Sequence, residues 1–369
     1  MKNIKLSSAW VGEEEVESVS RVLRELPLNM GIETKIFEEE LHAFFGRKES
    51  HVSCVNSCTA ALQLAVQCSG VKAGDEVLVP TYTFVATFQA VKAVGATPIP
   101  CDVDIDDGFI SIDDAKKRLT KKTKAIIPVL FAGCDGKIDK VYQFARENSL
   151  ILIEDAAHSF GCENIVKRDG ILCFSFDAIK NITCSDGGCI VTTDEEVSNR
   201  INDVRLLGVL GDTAARFKGE RSWDSDTIEQ GWRYHMSNVC AAIGRAQLKK
   251  FPEIKLRRQK YANMYIDGLK DIDGIRLLPI NAKTAVPFTF PIIVSKTNRN
   301  SLREFLLEYG IQTGLQYKPN HLLTYFNLGY ELPNSMALYQ SILSLPLHPA
   351  LSEEDVIYVI DHIKKYFKG

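Results

Sequence analysis

The sequence predicts an α/β fold: a large domain over residues 1–250 built on a mostly parallel mixed sheet, and a smaller α+β domain over residues 251–369. Three observations carry this. At 369 residues the chain is too long for one ordinary core. From about residue 50 to 240, short apolar runs alternate with helical patterns, the mark of a parallel sheet covered on both faces. Beyond Pro252, where the alternation stops, a smaller α+β unit is expected.

Taken in order, Gly12 to Arg24 reads as an acidic helix start, and Ile36 to Phe45 as a second helix whose Phe37, Leu41, Phe44 and Phe45 share a face. Pro27-Leu28-Asn29-Met30-Gly31 between them is a loop. Buried strands are expected at Glu76–Val79, Thr97–Cys101, Lys124–Leu130, Leu150–Glu154, Leu172–Phe176 and Cys189–Thr192. The helices between them are Ala60–Cys68, Thr87–Val94, Asp139–Asn148 and Asp194–Leu206, the last opened by a Thr193-x-x-Glu196 capping box. Residues 207–235, with Lys218, Arg221 and Asp224, read as one long polar loop. A helix from Asn238 to Lys250 follows and is expected to stop at Pro252. In the smaller domain, Ser301-x-x-Glu304 caps a helix with Leu302, Phe305, Leu306 and Tyr309 on one face, ended by Gly310. Val356, Val359, Ile360, Ile363 and Phe367 mark the last helix.

A hydrophobic share of 45% and a charged share of 25% are those of a globular protein. The net charge of −3 gives no reason to expect nucleic acid or an anionic membrane as partner. No apolar run reaches the roughly 18 residues of a membrane span, and the N-terminal residues lack a signal-peptide core, so a cytoplasmic protein is expected. The ten cysteines show no C-x-x-C spacing; they are expected to be reduced, mostly buried thiols, with no metal site.

Candidate chemistry gathers just past the predicted strand ends, where ligands lie in such sheets. Asn56-Ser57-Cys58-Thr59-Ala60 enters a helix, and the free N–H groups of Thr59 and Ala60, with the Thr59 hydroxyl, make a phosphate seat. Pro80-Thr81-Tyr82-Thr83-Phe84 places an aromatic, Phe84, past another strand. Glu154-Asp155-Ala156-Ala157-His158 offers a carboxylate and an imidazole. Ser175-Phe176-Asp177-Ala178-Ile179-Lys180 offers a hydroxyl and an amine. Each has an ordinary use alone: a helix cap, a core ring, a surface lysine. As a set they fit a pyridoxal phosphate site. Lys180 would hold the aldehyde as a Schiff base and Asp155 would pair with the pyridinium nitrogen. Phe84 would stack on the ring, His158 would bond the phenolate oxygen, and Arg233 would reach a phosphate. A nicotinamide G-x-G-x-x-G, a G-K-[ST] loop and a G-x-S-x-G elbow are all missing from the sequence.

These motifs, with Gly31, the Phe37–Glu40 helix, Gly74–Val77, Gly95–Pro98, Phe174–Gly188, Met236-Ser237 and Ser344–Leu347, resemble the DegT/DnrJ/EryC1/StrS sugar aminotransferases over nearly the whole chain. The resemblance implies fold type I, pyridoxal phosphate as cofactor, and a homodimer with shared active sites, a neighbouring loop reaching the phosphate. It assigns Thr59, Ala60 and Ser175 to the phosphate, with Cys58 in the same turn. Phe84 falls to ring stacking, Asp155 to the pyridinium and Lys180 to the Schiff base. His158 stands where glutamine is usual. Relatives with histidine in place of the lysine are dehydratases, so Lys180 favours transamination. The chain departs from the family pattern at Arg233 and His235, usually asparagine and arginine, at Ser185-Asp186, usually Gly-Glu, and at Cys58, usually glycine or alanine. Loss of the first glycine, at Ser185, is expected to shift the loop that orients Lys180.

The implied reaction takes an amino group from L-glutamate and gives it to a nucleotide-linked 4-keto-6-deoxyhexose. The Arg233/His235 variant and the Leu28–Gly31 loop look similar to enzymes that make dTDP-4-amino-4,6-dideoxyglucose. Met30, Tyr317, His321 and the 207–235 loop are the candidate substrate contacts. Other readings stay open: a 3-keto sugar aminotransferase, a pyridoxal phosphate sugar dehydratase or epimerase, or a non-catalytic regulator.

Overall fold

The structure is a computed structural model that describes residues 2–134, 136–163, 165, 168–220 and 224–368. Arg221, placed by sequence in the long polar loop, lies outside the described residues. The strands are β1 (His51–Val55), β2 (Glu76–Pro80), β3 (Thr97–Cys101), β4 (Thr123–Ile126), β5 (Ile151–Asp155), β6 (Ile171–Ser175), β7 (Gly188–Thr192), β8 (Ile275–Leu277), β9 (Phe290–Val294) and β10 (Ile342–Leu345). The helices before β8 are α1 (Glu13–Glu25), α2 (Ile32–Phe45), α3 (Cys58–Cys68), α4 (Val85–Ala93), α5 (Ile112–Arg118), α6 (Ile138–Glu147), α7 (Glu195–Val204), α8 (Asp212–Phe217) and α9 (Asn238–Leu269). After it come α10 (Arg299–Glu308), α11 (Pro333–Ser341) and α12 (Glu353–Lys368).

The large sheet runs β1-β7-β6-β5-β4-β2-β3. The strands from β6 to β3 are parallel, while β7 runs antiparallel to both β6 and β1. Alternate residues of each strand face opposite ways, so a strand buried on both sides reads as a continuous apolar run. Val77 and Val79 of β2 join Leu64, Phe88 and Val91 of α3 and α4 on one face. Leu78 joins Phe37, Leu41, Val141 and Phe144 of α2 and α6 on the other. A second, antiparallel sheet, β10-β9-β8, packs with the later half of α9 and with α10 and α12. Among the described residues no helix is long and apolar enough to cross a membrane.

A buried ion pair ties the first strand to its helices. Arg205, fully enclosed, donates from Nη1 to Glu38 Oε1 (2.6 Å) and to the Cys54 carbonyl (2.7 Å), and the Cys54 N–H donates to the same Glu38 oxygen (2.7 Å).

Several expectations are corrected. Pro252 does not end a helix: α9 runs through it for 32 residues. A proline removes one backbone hydrogen bond, about 3 kcal/mol, but the apolar stripe continues past it as Phe251, Ile254, Tyr261, Ala262 and Tyr265, all buried, and packing prevails. The helix therefore crosses residue 250. Asp194, not Thr193, caps α7, its carboxylate accepting from the Val197 N–H (3.0 Å). Asn298, not Ser301, caps α10, which starts a turn earlier. β4 stops at Ile126, ahead of Pro128, which lacks a ladder donor. The 207–235 stretch is not all loop, since α8 lies within it. β1 and α5 carry too little periodicity to stand out in the sequence.

Candidate active site

The site forms where β1, β2, β5 and β6 end. Ser57 caps α3, its Oγ accepting from the Ala60 N–H (3.1 Å), so the N–H groups left unpaired at the helix entry are those of Cys58 and Thr59. Gly188 makes this seat: paired with both Val55 and Ser175, it leaves room where a Cβ would lie 2.7 Å from the Phe174 carbonyl oxygen and 2.8 Å from Cys58 N. Cys58, Thr59, Phe84, Asp155, His158, Ser175, Lys180 and Tyr317 all line one cavity of about 240 Å³.

Asp155 ends β5, buried, with Oδ2 accepting from the Thr87 hydroxyl (2.7 Å) and Oδ1 from the Ala157 N–H (3.2 Å). Burial outweighs these bonds and holds its carboxyl above the usual range. Such a group gains from a cation or donor facing it. Lys180 supplies an amine whose burial pushes it down from 10.5 to about 8, so a useful fraction is uncharged near neutral pH. Its Nζ stands 4.1 Å from the Phe288 ring centre. The turn carrying it is pinned from below. Buried Arg258 donates to the carbonyls of Lys180 (3.2 Å), Phe288 (3.1 Å) and Leu347 (3.0 Å), and Asn181 donates to those of Phe160 (2.8 Å) and Val286 (2.7 Å).

Ser185 adopts φ +71°, in the left-handed region that favours glycine, and its N–H donates to Thr183 Oγ1 (2.9 Å). Phe84 is 56% exposed at the cavity wall, its ring centre 5.9 Å from that of Tyr317. His158 is neutral, burial driving its imidazole well below 6.5. Both ring nitrogens are engaged: Nδ1 with the Ala132 N–H (3.2 Å) and Nε2 with the Tyr317 hydroxyl (3.1 Å).

Four sequence candidates stand apart from this cavity. The Ala60 N–H is already taken by Ser57. Arg233 is exposed beside Asn56, whose side chain donates to its carbonyl (3.3 Å). Met30 borders another hollow, of about 500 Å³, with Arg216 and Phe217. His321 is buried, its Nδ1 2.9 Å from Thr81 Oγ1. Sequence reasoning missed Thr87, Phe288 and Arg258. Thr87 lies one helical turn after Phe84 and so shares its face; Arg258 sits within the apolar stripe of α9, an odd place for a free cation. All ten cysteines are unbridged.

The residues fit a pyridoxal phosphate: an anion seat at a helix entry, a buried carboxylate, an amine of lowered basicity and an exposed ring on the wall. The model of the DegT/DnrJ/EryC1/StrS aminotransferase family matches residues 10–364, and the chain belongs to that family. It is a fold type I, pyridoxal phosphate-dependent aminotransferase. An uncharacterized protein, MJ1066, of Methanocaldococcus jannaschii is 34% identical, the match covering 96% of this chain and 95% of that one. The spore coat polysaccharide biosynthesis protein SpsC of Bacillus subtilis is 32% identical over 97% of this chain and 96% of its own. The putative sugar aminotransferase Spr1654 of Streptococcus pneumoniae, in its PMP-form, superposes with a TM-score of 0.91 at 29% identity, covering 100% of this chain and 98% of that one.

Proposed function

We propose that this chain transfers the amino group of L-glutamate to a nucleotide-linked 4-keto-6-deoxyhexose, with dTDP-4-keto-6-deoxyglucose as the first candidate, for polysaccharide or other amino-sugar synthesis. Family membership and the similarity to SpsC and Spr1654 support a sugar as acceptor. The observation that carries the reading is the pairing, in one cavity, of a lysine lowered to about 8 with a buried carboxylate held above its ordinary range. Pyridoxal phosphate, when bound, supplies the electron-withdrawing ring and the carbonyl carbon that carries the amine between substrates.

Lys180 would hold that carbonyl and Asp155 the ring nitrogen, with the Cys58 and Thr59 N–H groups and the Ser175 hydroxyl on the phosphate and Phe84 on the ring face. With pyridoxal phosphate bound, Lys180 Nζ would take the Cα proton of the amino donor and pass it to the former carbonyl carbon of the cofactor, and in the second half-reaction it would carry a proton back from that carbon to the former keto carbon of the sugar. Its lowered basicity keeps enough of the free base at neutral pH for the first task. Thr87, donating to Asp155 Oδ2, would hold that carboxylate in place for the ring nitrogen. A homodimer with shared sites completes the proposal: Arg233, exposed beside Asn56, is the group offered to a partner's phosphate.

The test is transfer of label from 15N-glutamate to the keto sugar, read by mass spectrometry, with wild-type protein and Lys180→Ala. Labelled amino sugar from the wild type and none from the variant is expected; full activity in Lys180→Ala overturns the reading.

A further inference from the structure

We propose that His158 acts through Tyr317: the imidazole fixes the direction of the Tyr317 hydroxyl proton, and that hydroxyl is the hydrogen-bond donor offered to an oxygen entering the cavity. The argument begins with a donor of fixed polarity. The Ala132 backbone N–H can only donate, and it faces His158 Nδ1 at 3.2 Å. Nδ1 is therefore the acceptor, and the proton of the neutral ring sits on Nε2. Nε2 in turn faces the Tyr317 oxygen at 3.1 Å, so there it is the imidazole that donates and the phenol oxygen that accepts. The Tyr317 proton is left free to point away from His158, into the cavity that both side chains line.

Packing holds this polarity in place. The His158 ring lies 4.3 Å from the Phe288 ring centre, and Phe288 is also the ring beneath the Lys180 amine, so one aromatic side chain braces both groups. Phe131 and Phe84 flank Tyr317 at ring-centre distances of 6.3 and 5.9 Å. Burial pushes the Tyr317 phenol well above its ordinary value, which keeps its proton in place across the working pH range. An oxygen arriving beside Tyr317 thus meets an O–H donor backed by an N–H donor, a cooperative chain that starts at the peptide backbone. Tyr317 is the contact residue and His158 the positioning residue. The acceptor oxygen belongs either to the cofactor ring or to the sugar; only that choice rests on the aminotransferase reading above.

Two measurements test the proposal. In cofactor-free protein labelled with 15N-histidine, the His158 nitrogen shifts, assigned by comparison with His158→Gln, should show a protonated Nε2 and a bare Nδ1 at pH 7. A protonated Nδ1, or a doubly protonated ring, overturns the proposal whatever the enzyme transfers. The second compares Tyr317→Phe, His158→Gln and His158→Asn, each first checked for a native circular dichroism spectrum. Loss of one hydrogen bond predicts a change of about three- to tenfold in Tyr317→Phe. If the acceptor is on the cofactor, the pyridoxal phosphate dissociation constant rises by that factor without substrate present. If it is on the sugar, cofactor affinity holds and KM for the keto sugar rises instead. Gln reaches the Nε2 position and retains a donor toward Tyr317, whereas Asn reaches only the Nδ1 position. His158→Gln should therefore retain more function than His158→Asn, which should follow Tyr317→Phe. Tyr317→Phe with both constants within twofold of wild type, or equal effects of Gln and Asn, overturns the proposal.

Discussion

Replacing Lys180 with methionine should abolish transamination and, in the cofactor-free protein, raise stability near neutral pH. Burial lowers the Lys180 amine from 10.5 to about 8. At 1.36 kcal/mol per pKa unit, that gap corresponds to roughly 3 kcal/mol of penalty for holding the charged amine in the folded cavity. The partial solvent exposure of Lys180 and the Phe288 ring face, 4.1 Å away, recover part of it, so a net gain of about 2 kcal/mol is expected for the uncharged side chain of similar length. The sign follows from the direction of the shift. Well below pH 8 both folded and unfolded lysine are mainly protonated and nearly the full penalty applies. Between about 8 and 10.5 the folded protein releases the proton while the unfolded chain keeps it, so wild-type stability rises with pH across this window and the advantage of the variant fades. Urea denaturation of both cofactor-free proteins at pH 7 and pH 10 measures this. Equal or lower stability of Lys180→Met at pH 7, or an advantage that persists unchanged at pH 10, would refute the idea that a desolvated, strained amine is built into the cavity.

Three further variants probe the surroundings. Glu38→Ala leaves the enclosed Arg205 guanidinium without its carboxylate and should cost about 3–5 kcal/mol in denaturant unfolding; a loss under 1 kcal/mol would mean that the pair opens to water. Ser185→Gly relieves the φ of +71° and should stabilise by about 0.5–1 kcal/mol, measurable as a rise in Tm. Gly188→Ala sets a Cβ against Phe174 O, Cys58 N and Ser57 C, all within 2.8 Å, and must displace the entry of α3. Overpacking of this kind costs about 1–3 kcal/mol, so pyridoxal phosphate affinity should fall by about tenfold to a hundredfold, and unchanged affinity would remove the phosphate seat from that helix.

The parallel core was legible because its strands are buried on both faces. Runs such as Val77-Leu78-Val79 and Ile171-Leu172-Cys173-Phe174 are short, apolar and bounded by turns, and only a covered sheet accommodates them. The cavity was legible because its motifs gather at strand ends: Asp155 and Lys180 follow expected strands, Ser175 lies near the end of one, and only the set together pointed to a site. What local signals missed was decided by tertiary packing. Pro252 looks like a stop because the sequence shows the missing N–H but not the two cores that grip α9 on either side. Thr193 and Ser301 look like caps because spacing alone does not say which of several polar residues the backbone turns toward. Arg258 and Phe288 escaped notice for a related reason: each meets Lys180 only after the second sheet folds back, 78 residues away in sequence for the arginine contact. The tautomer of His158 was likewise beyond the sequence, since Ala132 and Tyr317 are remote from it along the chain.

The most direct measurement of the proposed chemistry is a pair of half-reactions followed by absorbance. The protein is loaded with pyridoxal phosphate, treated with L-glutamate until the yellow colour is lost, freed of excess reagents, and mixed with dTDP-4-keto-6-deoxyglucose. Return of the colour with one amino sugar formed per site is the expected result. Glutamate failing to bleach the loaded protein would contradict the proposed donor half-reaction, and bleaching without return of colour would contradict the proposed sugar acceptor.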